Sequence, residues 1–117
     1  MIKAVFFDLD GTLLNEDQQV PLENEEAIKD LIDRGLDVYL ATGRPHFFAE
    51  TLASRIHPDL KVISADGAVY EVEDELVVHT LPREALEQIV EYVSDKPIEI
   101  YFKSLNRVYN KRYPSSY

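Results

Sequence analysis

The sequence predicts an α/β fold built on a parallel sheet. Three observations carry that expectation. The chain opens on a nearly unbroken apolar strand, Lys3 to Leu9 (KAVFFDL), of the kind usually buried on both faces of a parallel sheet. Strand-like and helix-like segments then alternate as β-α-β-α-β, an order that favours parallel pairing with right-handed crossovers. Polar clusters fall at the carboxyl ends of all three strands, where open α/β sheets bind ligands.

Each element follows from local pattern. Residues Gly11 to Val20 read as a loop, and Pro21 opens a helix whose apolar stripe is Ala27, Ile28, Leu31 and Ile32. Gly35 stands where a helix C-terminal cap belongs. Asp37 to Ala41 (DVYLA) is the second strand, followed by the turn Thr42-Gly43-Arg44-Pro45. A second helix spans about His46 to Ile56, with Phe48, Leu52 and Ile56 on one face, and Lys61 to Ala65 (KVISA) is the third strand. After Asp66-Gly67 the rhythm changes. AVYEV and ELVVHT, joined by Glu73-Asp74, read as an antiparallel hairpin. Pro82 starts a third helix with Ala85, Leu86, Ile89, Val90 and Val93 inward, and IEIYF and RVY read as strands. The tail NKRYPSSY carries no helix signal.

Composition bounds the function. The 117 residues suit one small domain or part of a larger one. A net charge of −10 argues against a nucleic-acid backbone or an anionic membrane as partner, since both reward a basic surface. No apolar run approaches the roughly 18 residues of a transmembrane helix, and the opening strand is not a signal-peptide core. With no cysteine, disulfides and thiolate metal sites are excluded, and a cytoplasmic location is the expectation.

The strand-end clusters carry the chemistry. Asp8 and Asp10 are two apart, so on a regular strand they share a face and repel. A divalent cation relieves that repulsion, and Mg²⁺ takes a few protein oxygens plus substrate phosphate. Gly11 permits a sharp turn that leaves amide N–H groups facing an anion. Thr42 can donate its hydroxyl to a phosphate oxygen, and Arg44 can add charge there or shape the turn with Pro45. One carboxylate can act as a nucleophile and become an aspartyl phosphate. The second can protonate the leaving group and later activate water.

These motifs carry a resemblance. VFFDLDGTLL resembles the first motif of the haloacid dehalogenase superfamily, and VYLATGRP resembles its second. Followed by VISADGAVY, the pair is similar to the Cof-type, subfamily IIB phosphatases. The resemblance implies a HAD-like Rossmannoid core at residues 1–81 and the start of an α/β (C2-type) cap at 82–117. It implies Asp8 as the nucleophile and Asp10 as the general acid/base, with both at the Mg²⁺ site and Asp10 reaching the metal through its backbone carbonyl. Leu9, Gly11, Thr42, Gly43 and Arg44 would form the phosphate-binding loops, and a small phosphorylated metabolite would be the ligand. The third cluster departs from the pattern, reading Ala-Asp-Gly where relatives commonly show Asn-Gly.

The family pattern also continues with a lysine that steadies the phosphoryl oxygens and an acidic pair that completes the Mg²⁺ site. Neither is present. Lys3, Lys29, Lys61, Lys96, Lys103 and Lys111 do not stand beside the DxDGT loop in the family's order. The chain therefore resembles the N-terminal portion of such a phosphatase, and a catalytically weak or inactive fragment is the alternative expectation. The first strand, central in the family sheet, would here be an exposed apolar edge, which invites self-association through that edge or through the incomplete cap.

Simpler readings stand beside these. The two aspartates would be a plain strand-end turn, or one of them a receiver-type phosphoacceptor; Thr42 would be a helix N-cap. Asp66 is equally a turn residue or a ligand contact. His46, His57 and His79 lack metal-ligand spacing and read as surface residues. Tyr101, Tyr109, Tyr113 and Tyr117 read as stacking on a ligand or, more simply, as cap packing or as residues exposed where the cap stops short. Glu71, Glu73, Asp74 and Glu75 read as a solvated hairpin tip.

Overall fold

The computed structural model describes residues 1–111. Tyr113 and Tyr117 lie outside the described residues. The element order is β1 (Ala4–Asp8), α1 (Leu22–Asp33), β2 (Asp37–Ala41), α2 (His46–Ile56), β3 (Lys61–Ser64), β4 (Val69–Val72), β5 (Glu75–Val78), α3 (Arg83–Val93), β6 (Ile100–Lys103) and β7 (Val108–Lys111).

Strands β1 to β5 form one sheet in sequence order, and β6 and β7 form a separate antiparallel pair. The pairs β1–β2 and β2–β3 are parallel; β3–β4 and β4–β5 are antiparallel. The α/β fold with a parallel core and a hairpin is thus as the sequence predicts. All three helices begin directly after a proline, Pro21, Pro45 and Pro82, each at φ −58°. Proline pre-sets the φ that a helix start needs and has no amide N–H to leave unsatisfied. The β4–β5 turn places Glu73 at φ 49° and Asp74 at φ 66°. Positive φ at both central residues matches the right-handed twist of the two strands.

The core lies on one face of the sheet. Val38, Leu40 and Val62 point into it and meet Ile28 of α1 and Ala49, Ala53 and Ile56 of α2. Leu13 and Leu14, from the segment expected to be a plain loop, are buried in the same cluster. The opposite face shows a row in which Phe6 pairs with Tyr39 and Tyr39 with Lys61. The two rings stack at 4.7 Å and the Lys61 ammonium stands 5.3 Å from the Tyr39 centroid.

Three sequence expectations need correction. β1 is not buried on both faces: it has one strand neighbour among the described residues, and Phe6 is 57% exposed. Apolar composition reports a strand's tendency to be covered and cannot supply the cover. Ala27 is exposed, because Asn24, Ile28, Leu31 and Ile32 make up the inward arc of α1. Val90 is 49% exposed, at the edge of the predicted face, while Val93 of that face is buried as expected.

These burial differences set opposite mutational costs. Leu40→Ala is expected to lower the unfolding free energy in urea by about 2–5 kcal/mol, as for a fully buried leucine. Val90→Ser is expected to change it by no more than about 0.5 kcal/mol.

Candidate active site

The site is assembled by register. Parallel pairing sets Asp8 opposite Ala41 and Ala41 opposite Ile63, so the three strands end side by side. Past those ends the chain makes three turns that bond to one another. Thr42 N–H donates to the Ile63 carbonyl at 2.9 Å, Ala65 N–H to the Arg44 carbonyl at 2.8 Å, and Asp66 N–H to the Thr42 carbonyl at 3.2 Å.

The first turn is Leu9–Leu13. Leu9 is fully buried while Asp8 and Asp10 are exposed, so the strand alternation survives into the turn and anchors it between two outward carboxylates. Gly11 adopts φ 77°, the left-handed region that favours glycine. Thr12 Oγ1 donates to Asp8 Oδ2 at 3.3 Å.

Asp10 does not face Asp8 as an unrelieved like charge. Arg44 Nε donates to Asp10 Oδ2 at 2.8 Å, and Arg44 Nη2 donates to Asp10 Oδ1 and to Gln18 Oε1. The guanidinium also lies 4.3 Å from the Phe48 ring centroid. This two-point grip is the geometry a guanidinium fork favours. Its hydrogen bonds hold the Asp10 carboxyl below the usual carboxylate value, and the Arg44 charge acts in the same direction. The repulsion that sequence reasoning assigned to a cation is therefore met, on the Asp10 side, by Arg44.

The Thr42–Arg44 turn is closed by Thr42 itself, whose Oγ1 accepts the Arg44 N–H at 3.1 Å. Thr42 is not the N-cap of α2, since that helix starts after Pro45. The hydroxyl accepts in this bond, so its own hydrogen is left to donate to a ligand. A Cβ at Gly43 would stand 2.6 Å from Asp66 Oδ1, so a side chain there would push the exposed Asp66 carboxylate aside. Asp66 itself sits in a left-handed turn at φ 58° with an exposed carboxylate.

Sequence reasoning missed two contacts. His46 Nδ1 lies 3.1 Å from Ser64 Oγ, which is fully buried, so His46 is a half-buried partner of the β3 end and not a surface residue. Lys103, from the end of β6, donates to the Gly43 carbonyl. Neither had a local signal, because both partners are distant in sequence. His57 takes the Asp59 N–H at 3.0 Å and His79 meets the Tyr70 hydroxyl at 3.0 Å. Among the described residues, no three His, Asp or Glu side chains cluster to hold a metal. Two concavities of about 210 and 360 Å³ lie away from the strand-end turns and include Lys61, Glu71 and Asp74.

A profile of haloacid dehalogenase-like hydrolases matches residues 5–116. The chain belongs to that family. It is 36% identical over 104 residues to the 5-amino-6-(5-phospho-D-ribitylamino)uracil phosphatase YwtE of Bacillus subtilis, covering 87% of this chain and 35% of that protein. It is 42% identical over 79 residues to the phosphatase YwpJ of the same organism, covering 67% of this chain and 28% of that protein. The chain thus spans about a third of the length of the curated relatives it matches. Among solved structures it superimposes on a haloacid dehalogenase-like hydrolase from B. subtilis with a TM-score of 0.74 and 35% identity, over 86% of this chain and 36% of that one. It matches a HAD subclass IIB sugar phosphatase with a TM-score of 0.73 and 26% identity, over 92% and 43%. The haloacid dehalogenase resemblance is therefore borne out in sequence, and the resemblance to subclass IIB phosphatases in fold.

The Asp10–Arg44 pair has a testable titration. A depressed folded-state pKa stabilises the fold above the unfolded value of about 3.9, and that contribution is lost as pH falls through the folded value. Carboxyl ¹³C NMR is expected to show Asp10 titrating below 3.8 in the native chain and moving up toward 3.8 in Arg44→Met. The stability difference between the two proteins should then shrink as pH drops below that range.

Proposed function

We propose that this chain carries the nucleophile half of a phosphatase site and hydrolyses small phosphate monoesters, with sugar phosphates the first class to test. The observation that supports it is the convergence of the Asp8–Thr12 turn and the Thr42–Arg44 turn at the ends of adjacent parallel strands. Its relatives' names as phosphatases point the same way.

In this reading Asp8 Oδ attacks the phosphorus of the monoester, the ester P–O bond breaks, and an aspartyl phosphate forms. Thr42 donates its hydroxyl to a phosphoryl oxygen, and the amides of the Leu9–Gly11 turn face the same charge. Asp10, held ionised by Arg44, suits the second step, in which a base takes a proton from the water that attacks the aspartyl phosphate. Protonating the leaving oxygen in the first step requires Asp10 in its neutral form, so Arg44 must loosen its grip there. Arg44 thereby sets which half of the reaction Asp10 favours.

Mg²⁺ fits the donor chemistry present, which is oxygen only: the exposed Asp8 carboxylate and the Asp10 main-chain carbonyl, with the Asp10 carboxylate already taken by Arg44. Two protein oxygens are within what Mg²⁺ accepts, because it keeps several waters and takes substrate phosphate as well. When bound, the ion would offset charge on the transferring phosphoryl group. A cytoplasmic setting belongs to this reading and is supported by the absence of cysteine; among the described residues, no helix is long and apolar enough to cross a membrane.

Hydrolysis of p-nitrophenyl phosphate by the purified chain tests the proposal. Turnover is expected to require Mg²⁺ and to vanish in Asp8→Asn, while Asp10→Asn is expected to lower the rate by about 10²–10⁴-fold. Equal rates in native and Asp8→Asn chains would refute it.

A second reading, a weak or inactive catalyst that self-associates, is supported by one feature. Among the described residues one edge of β1 has no strand partner, and Phe6 within the strand and Ile2 just before it are exposed. An unpaired apolar edge is a template for strand addition by another copy. Analytical ultracentrifugation at micromolar concentration is expected to show a concentration-dependent dimer that Phe6→Lys weakens. A single monomeric species throughout would contradict self-association.

A further inference from the structure

The β6–β7 hairpin bends back over the strand-end turns at two points. The Leu105 carbonyl, in the β6–β7 turn, accepts the Phe47 N–H from the first turn of α2 at 3.0 Å. The Lys103 ammonium donates to the Gly43 carbonyl and lies 3.7 Å from the Asp66 carboxylate. Gly43 is the central residue of the Thr42–Arg44 turn, so this cation is delivered to the phosphate-binding loop from outside the main sheet.

Other lysines are engaged elsewhere. Lys29 pairs with Glu25, Lys61 with Asp37, and Lys96 with Asp95 and the Tyr92 carbonyl. Like Lys96, Lys103 has a carbonyl and an exposed carboxylate as partners, and it is set apart by where they lie, on the strand-end turns. One is a neutral carbonyl. The other, Asp66, has a side chain 79% exposed, and such a solvent-screened ion pair holds weakly. A phosphate dianion offers three strong acceptor oxygens and two charges, so a charge-assisted bond to it outcompetes both partners.

We propose that Lys103 is a phosphate-contacting residue, parked on the Gly43 carbonyl and Asp66 in the free chain and transferred to the phosphoryl oxygens when a monoester binds. The hairpin then supplies a cation to a site where, among the described residues of the strand-end turns, the other is Arg44, itself committed to Asp10. This rests on the phosphatase reading above, and it adds a residue that motif matching does not select. It also gives Asp66 a role as the resting partner that keeps the ammonium near the loop.

The test is titration of the chain with inorganic phosphate at pH 7, followed by amide NMR at Thr42, Gly43 and Phe47. Lys103→Gln is expected to weaken phosphate binding about tenfold, the size of one charge-assisted hydrogen bond. Lys103→Arg is expected to restore most of the affinity, and the Phe47 amide should stay protected from exchange in both variants. Native-like affinity in Lys103→Gln overturns the proposal. So does a loss of affinity that appears only together with loss of Phe47 protection, which would make Lys103 a strut for the hairpin. A native chain whose amides do not respond to phosphate at all refutes the phosphatase reading itself, and the Lys103 proposal falls with it. Phosphate response in the native chain with unchanged affinity in Lys103→Gln refutes the Lys103 proposal alone.

Discussion

The parallel register between β1 and β2 is the constraint on which the rest of this structure depends. Because Asp8 lies opposite Ala41, the two turns that follow leave the sheet at the same level. Arg44 can then close on Asp10 across 34 residues of sequence, and Thr42 stands beside the same opening. A slip of one residue would send Asp8 and Asp10 to the core face and Leu9 to solvent. The buried Leu9 prevents that slip, since its full burial commits the alternate residues to point outward. Packing therefore orients the carboxylates to which the proposed chemistry is assigned.

Much of this was legible beforehand because it rests on local rules. The alternation of strand and helix patterns fixes parallel pairing, the prolines mark helix starts, and Glu73-Asp74 marks the hairpin. The aspartates and the Thr-Gly-Arg turn could be read as a site because chain ends of parallel strands have a known fate. What could not be read was pairing at long range. Nothing near Arg44 in sequence says that its partner is Asp10, and nothing near Lys103 points to Gly43. The predicted helix stripes were drawn too wide at Ala27 and Val90, which are exposed, while Ile28 and Val93 of the same stripes are buried as expected. Periodicity defines an arc of about 100° or more, and only packing decides which edge of that arc is covered.

The electrostatics follow from the same geometry. With a net charge of −10, the chain gains no general attraction for a phosphate. Attraction has to be local, and the structure gathers local donors at the strand ends: turn amides, the Thr42 hydroxyl, Arg44 and the Lys103 ammonium. Arg44 serves a double purpose there. It cancels the repulsion between the two carboxylates and keeps Asp10 ionised. That leaves Asp8 as the carboxylate with no cationic partner among the described contacts, held only by the Thr12 hydroxyl.

The central claim is that Asp8 is the nucleophile, and a covalent trap tests it most directly. After incubation with p-nitrophenyl phosphate and Mg²⁺, borohydride reduction converts an aspartyl phosphate to homoserine, which peptide mass spectrometry locates by residue. The account predicts homoserine at position 8 and none at position 10. Reduction found at Asp10 or Asp66, with Asp8 unmodified, would contradict it.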